Sequence, residues 1–394
     1  MSRYRLEPTP QQQSMLMRYC SDARYVWNLC VEQENEYRPG RGKMPRFAER
    51  CRQLTEARAD NPWLAAGSVI VQQQAIKDHQ HAMANFFNGS CHQPTWRKAG
   101  QDEGFRIVAI GPGDVRRLNR SHAVVKVPKA GWVRFRWSRP VPDGVKSFRV
   151  TRDRSGRWHI AFAVIPEPVS GPGTGEVVGV DRGVAVSAAL STGEMLHCPA
   201  LTSREGRRLR SAERKLAKAS RGSGRRHNVK AQVARLKARG ADRRKDWAEK
   251  TSTDLARRFD VIRVEHLQIR NMIRSAKGTA EAPGKNVAAK AGLNKAIHAN
   301  GRGLLVRRLE DKAPGRVERV APAYTSQRCS ACGQIARESC ESQAAFLCVA
   351  CGYAANADVN AARNIAAGHA VKARGGDATR RPVNREPQPA LLGV

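Results

Sequence analysis

A chain of 394 residues is long enough for roughly two to four domains and a sizeable core. Its 70 Lys and Arg against 35 Asp and Glu leave a formal net charge of +35, far more than solubility needs, so the natural partner is a polyanion. No apolar run approaches the roughly eighteen residues that span a bilayer, and the opening MSRYRLEPTP has no apolar signal core; the expectation is a cytoplasmic protein with no membrane role.

In chain order, residues 1–10 read as a short strand closed off by Pro8 and Pro10. From 11 to 87 the pattern is helical. Met15, Tyr19, Ala23, Val26, Trp27 and Cys30 recur mostly at three- and four-residue steps, as do Val69, Gln73, Ile76, His79, Met83 and Phe86. A Pro-, Gly- and Arg-rich turn over 38–46 joins two or more such helices. Gln72, Gln73, Gln74, Lys77 and Gln80 fall on or beside the polar face of the second helix. Glutamines there can read adenine in a major groove, and the plain alternative is a solvated face.

From 94 to 166 the pattern changes to short alternating strands over 105–108, 123–127, 132–137, 147–150 and 158–162, with turns at Asp143-Gly144 and Arg154-Ser155-Gly156. They predict a small barrel or sandwich, with Arg134, Arg136 and Arg149 on one basic face suited to phosphates. A Pro/Gly/Ser linker over 166–175 marks the main boundary. A buried strand over 176–186 follows, interrupted by Asp181 where Gly183 lets the backbone turn. A carboxylate in an apolar strand is costly unless it binds a cation.

Residues 203–258 predict a basic helical hairpin broken at Gly222 and Gly224. Its exposed cations, among them Arg207, Arg208, Arg210, Arg214 and Arg225, suit phosphate contacts better than a merely solvated helical pair. A second buried strand over 260–267 carries Glu265 near its end. Residues 268–302 read as a mobile basic loop, 304–312 as a helix and 317–320 as a strand.

Cys329/Cys332 and Cys348/Cys351 form two Cys-x-x-Cys pairs with fifteen residues between them, and Gly333 and Gly352 directly follow. That is tetrahedral zinc spacing, whereas a redox dithiol would explain neither the second pair nor the glycines. One structural Zn²⁺ per chain is expected, with Cys340 a bystander. A reducing compartment suits both the site and the scattered Cys20, Cys30, Cys51, Cys91 and Cys198. Asp358 then stands at the start of a terminal helix, where it can be a cap or a third acid. Three acids brought together would repel unless divalent cations neutralised them, and two Mg²⁺ ions on such oxygens can cut a phosphodiester.

The motifs GVDRG at Asp181, RVEHL at Glu265, YTSQRCSACG with CVACGY, and ADVNAARN at Asp358 resemble the three RuvC-nuclease motifs and interrupting zinc unit of TnpB proteins, transposon-encoded ancestors of the miniature type V CRISPR effectors. YRLEPT, NFF at 85–87 and PKAGWVRFRW at 128–137 resemble that family's N-terminal half. The resemblance implies an α/β multidomain protein. A wedge β-barrel that binds oligonucleotides would come from 1–10 and 94–165, a helical recognition lobe from 11–93, and an RNase H-like RuvC nuclease domain from 176–328 and 352–370. A Cys₄ zinc ribbon for target nucleic acid would occupy 329–351 and a disordered tail 371–394. It also implies a guide RNA, a double-stranded DNA target beside a short flanking motif, and cleavage by Asp181, Glu265 and Asp358 on two Mg²⁺, as a monomer or a homodimer on one RNA. Gln73, Gln74 and Lys77 are candidates for the flanking motif. Asn356 stands where many relatives carry aspartate, and Gly301-Arg302-Gly303 lacks a tryptophan often found there; neither change touches the three acids. A guide-dependent repressor that binds without cutting is the alternative, weakened because all three acids are present. A strand transferase would need a tyrosine with paired histidines, and no such cluster appears.

Overall fold

The computed structural model describes residues 2–37, 44–108, 110–165, 167–279, 281–342 and 344–368. Most of the turn expected over 38–46 and all of the tail expected over 371–394 lie outside them. Two units result, one drawn from Met1–Pro166 and Arg208–Leu236, the other from Glu167–Arg207 and Lys237–Val394.

In the first unit, β1 (Ser2–Glu7) points Tyr4 and Leu6 inward. Thr9 then caps α1 (Pro10–Glu36) through a reciprocal pair of bonds with Gln12, and Pro10 fits the first helical turn because no intrahelical partner is needed there. α1 buries Leu16, Tyr19, Ala23, Val26 and Cys30. It is followed by α2 (Phe47–Asp60), α3 (Pro62–Ala65) and α4 (Val69–Phe87). The buried stripe of α4 is Val71, Gln72, Ala75, Ile76, His79 and Met83, which shifts the phase read from the sequence: Val69 is exposed. Gln72, expected near the polar face, is wholly buried. Its amide donates to Asp22 Oδ2 at 3.2 Å and to the Leu64 carbonyl at 2.9 Å, and its Oε1 accepts from Arg58, so distant partners satisfy what local pattern would leave in water.

The strands β2 (Gly104–Val108), β3 (Val115–Arg117), β4 (His122–Val127), β5 (Gly131–Arg136), β6 (Ser147–Arg152) and β7 (Trp158–Ala163) join β1 in a seven-stranded sheet ordered β2-β6-β7-β1-β5-β4-β3. Every ladder is antiparallel. Tyr4, Phe135 and Phe162 meet edge to face in its core. The order has two ends, so among the described residues strand pairing does not close the expected barrel.

In the second unit, the expected linker is pinned: Asp260 accepts from the Gly173 amide at 3.0 Å and the Gly175 amide at 2.7 Å. Beyond it, β8 (Val177–Asp181), β9 (Ala188–Leu190) and β10 (Met195–Leu196) lead to α5 (Ser203–Lys218) and α6 (Gly224–Arg258), of which the stretch Arg208–Leu236 belongs to the first unit. Then come β11 (Val261–Glu265), α7 (Ile269–Met272), α8 (Val287–Ala299), α9 (Arg302–Lys312) and β12 (Val317–Val320). The sheet order is β10-β9-β8-β11-β12, with β11 parallel to both β8 and β12. Leu255 of α6, Phe259 just beyond its end, and Leu305 and Leu309 of α9 share one core with Val178, Val180, Ile262 and Val264. The loop expected over 268–302 is corrected by α8, whose five alanines favour helix at little entropic cost. The short strands β13 (Ala345–Leu347) and β14 (Ala354–Asn356) precede α10 (Ala357–Ala366). Among the described residues no helix is long and apolar enough to cross a membrane.

Candidate active site and metal centre

β8 and β11 are parallel neighbours, paired at Val180 and Val264, so Asp181 and Glu265 emerge one residue later at the same end of the sheet. The third acid arrives on α10, which lies against β8. Gly179 makes that approach possible: a Cβ there would stand 2.0 Å from the Ala362 carbonyl oxygen and 2.4 Å from the Ala366 nitrogen. The helix cap is Asn356, whose Oδ1 accepts from the Asp358 amide at 2.9 Å and the Val359 amide at 3.3 Å. Asp358 is therefore not spent as the cap. Its Oδ2 comes within 3.8 Å of the Cβ position of Gly183, two residues beyond Asp181.

Burial, reinforced by the nearby charges of Glu265 and Asp358, pushes the Asp181 carboxyl far above the usual carboxylate range. Burial raises Asp358 as well, and in both cases Arg302 pulls the other way. Two carboxylates close enough to perturb a third, buried one offer oxygen donors of a kind that suits a divalent cation. Their oxygens are not gathered as tightly as a single ion would gather them: among the described residues, only the four cysteines form a group of three or more such side chains with donor atoms all within 4.8 Å.

Two arginines that the sequence did not single out as site residues support the acids. Arg182, 5% exposed, donates to the backbone carbonyl of Glu265 and, at 3.3 Å, to that of Arg302. Burial lowers its guanidinium to about 10, so it stays charged at neutral pH. Arg302, also 5% exposed, donates from Nε to the Gly183 carbonyl at 3.1 Å. Their only sequence signal was adjacency, one beside Asp181 and the other inside Gly301-Arg302-Gly303. Thr325 was equally unmarked: its hydroxyl donates to Glu265 Oε1 at 2.7 Å.

The four cysteine sulfurs meet as the spacing required. Cys329 and Cys351 stand 3.8 Å apart and Cys332 and Cys348 3.6 Å. A tetrahedron with Zn–S bonds of about 2.3 Å has edges of about 3.8 Å, so the donor set fits zinc without rearrangement. Gly333 and Gly352 adopt φ of 80° and 70° and return their amides to the Cys329 and Cys348 carbonyls at 3.0 and 2.9 Å. Cys340 is outside the sulfur group and donates to the Ser326 carbonyl at 3.3 Å.

The nucleic-acid candidates are spread over several elements. Arg134 and Arg136 project from β5 with side chains 57% and 68% exposed, and both pair with Glu7. Arg207, Arg208, Arg210, Arg214 and Arg225 are all exposed on the hairpin. On α4, Lys77 is exposed while Gln73 and Gln74 are half-buried.

Three family descriptions match the chain: "Helix-turn-helix domain" over 2–43, "Probable transposase" over 159–276 and "Cas12f1-like, TNB domain" over 303–365. The chain is 36% identical to the "Putative RNA-guided DNA endonuclease InsQ" of Escherichia coli (strain K12), over 98% of its own length and 96% of the relative's. It is 29% identical to a "Putative RNA-guided DNA endonuclease" of Streptomyces pristinaespiralis, over 100% and 97%. Its fold resembles the protein in a cryo-EM structure of a Cas12f1-sgRNA-target DNA complex, with a TM-score of 0.55, 14% identity, and coverage of 90% of this chain and 83% of that one.

Proposed function

The chain belongs to the TnpB family, and on that premise we propose that it is an RNA-guided DNA endonuclease, carrying a guide RNA and cutting matched double-stranded DNA beside a short flanking motif. The observation that carries the reading is the meeting of Asp181, Glu265 and Asp358, from three distant segments, at one end of a mixed sheet in a chain with a net charge of +35. This sheet supports the RNase H-like nuclease reading of the second unit; β1 within the seven-stranded sheet supports the wedge reading of the first.

Asp181, Glu265 and Asp358 would hold the Mg²⁺ ions, whose chemistry there would be to activate water and to stabilise the leaving oxygen. The protein's part is to hold the three carboxylates at fixed positions: Asp181 and Glu265 by the β8–β11 ladder, Asp358 by the Asn356 cap and the contact at Gly179. Arg182, next to Asp181, ties the end of β11 to the start of α9 and so fixes the backbones of Asp181 and Glu265 relative to each other. Cys329, Cys332, Cys348 and Cys351 hold one structural zinc. The hairpin arginines and Arg134 and Arg136 contact phosphates, and Gln73, Gln74 and Lys77 face the flanking motif.

Plasmid cleavage and target binding, measured side by side, test the reading. Glu265→Ala should lose cutting by orders of magnitude and keep binding, whereas His266→Ala should cut like the parent. Cutting by Glu265→Ala, or by the parent in excess chelator, would overturn it.

A further inference from the structure

We propose that Thr325 is a positioning residue for Glu265, through which the zinc-bearing loop sets the affinity of the acid cluster for its divalent ions; this rests on the function proposed above. Thr325 is 5% exposed and its hydroxyl lies 2.7 Å from Glu265 Oε1 and 3.2 Å from the Pro322 carbonyl. A hydroxyl has one proton, and the shorter, charge-assisted contact takes it. The backbone around it is over-determined. Tyr324 sits at φ 61°, in the left-handed region, and its carbonyl accepts from the Gln327 and Arg328 amides at 3.1 and 3.0 Å.

The same loop is gripped from the other side by α10. Asn364 donates to the Thr325 carbonyl at 2.9 Å and to the Arg328 carbonyl at 2.7 Å. Asn360 donates to the Arg328 carbonyl at 2.7 Å and accepts from the Ser330 amide at 2.9 Å, so these bonds flank Cys329 directly. Both asparagines are buried: Asn360 is 0% exposed and Asn364 3%. One loop thus grips the helix that carries Asp358, holds the Glu265 carboxylate by its Oε1, and ends in a zinc thiolate. Such a partner limits rotation of a ligating carboxylate, and losing it typically weakens metal binding by about 10–100-fold.

The test uses the full chain with its guide RNA and Mn²⁺ as the probe, followed by electron paramagnetic resonance of the free ion. Glu265→Ala defines how much Mn²⁺ belongs to the acid cluster. Thr325→Val should weaken that component about tenfold while zinc content and target binding stay at parent levels. Thr325→Ser, which keeps the hydroxyl, should titrate like the parent. Cleavage by Thr325→Val should recover at high Mn²⁺, which a general loss of folding would not allow. A parent-like titration by Thr325→Val overturns the positioning role alone. Parent and Glu265→Ala titrating alike overturns the metal reading of the acids, and this inference with it. Should Thr325→Val lose zinc, Thr325→Ala carries the same comparison.

Discussion

Gly179→Ala offers a severe test of how the third acid is delivered. The added methyl would begin 2.0 Å from the Ala362 carbonyl oxygen and 3.0 Å from the Ala366 Cα, both backbone atoms that no rotamer change can move. Ordinary contact begins near 3.4 Å, so relief requires α10 to retreat from β8 by roughly 1.4 Å. Overpacking of this kind costs about 1–3 kcal/mol of stability. The retreat also carries Asp358 with it, and a misplacement of about 1 Å at reacting groups is worth on the order of 10²-fold in rate. Thermal melting of the protein, plasmid cleavage at saturating Mg²⁺ and target binding should be measured together. The expected result is a modest loss of stability, a large loss of cutting and intact binding. If Gly179→Ala melts and cuts like the parent, the close approach of helix to strand is not what places Asp358.

Elemental analysis should find one zinc per chain. Cys332→Ser should lower stability before it alters chemistry, and Cys340→Ser should do much less. Removing Arg207, Arg208, Arg210, Arg214 and Arg225 together should weaken binding equally at all sequences, and the logarithmic salt slope should fall by about 0.7–0.9 for each phosphate the hairpin no longer neutralises. A change in the accepted flanking motif would instead make the hairpin a base reader. Arg182→Met, which keeps the bulk but not the donors at the ends of β11 and α9, should depress cleavage with little effect on binding, as measured in the same paired assay.

What the sequence made legible were features carried by short-range pattern. Alternation marked the strands from Phe105 to Phe162, and paired cysteines with trailing glycines marked the zinc unit. β3 escaped because it is three residues long with two arginines, too brief for alternation to register. α8 looks like a loop in the sequence because the Gly278, Pro283 and Gly284 punctuation before it masks its alanines. Gln72 and Thr325 escaped for a different reason. Burial of a polar side chain depends on partners such as Asp22, Arg58 or Glu265, which are neighbours in space only. Asp181 and Glu265 stand out from local context, as carboxylates at the ends of apolar strands, whereas Asp358 at the start of a helix reads equally well as a cap. The arginines and threonine that hold the site together had no comparable local mark.

The position of β1 has a consequence for how the chain comes off the ribosome. Ser2 pairs with Phe162 and Leu6 with Phe135, partners made long after them. At a synthesis rate of about 5–20 residues per second, roughly 8–30 seconds pass before the strand's later partners exist. During that interval the apolar side chains of Tyr4 and Leu6 and the inner face of α1 have no sheet to cover them. Closing so long a loop also makes the central ladder slow to form by chain entropy alone. Folding strand by strand in the order of synthesis is therefore closed to this unit: β1 pairs with β5 only after residue 136 is made, and with β7 only after residue 163.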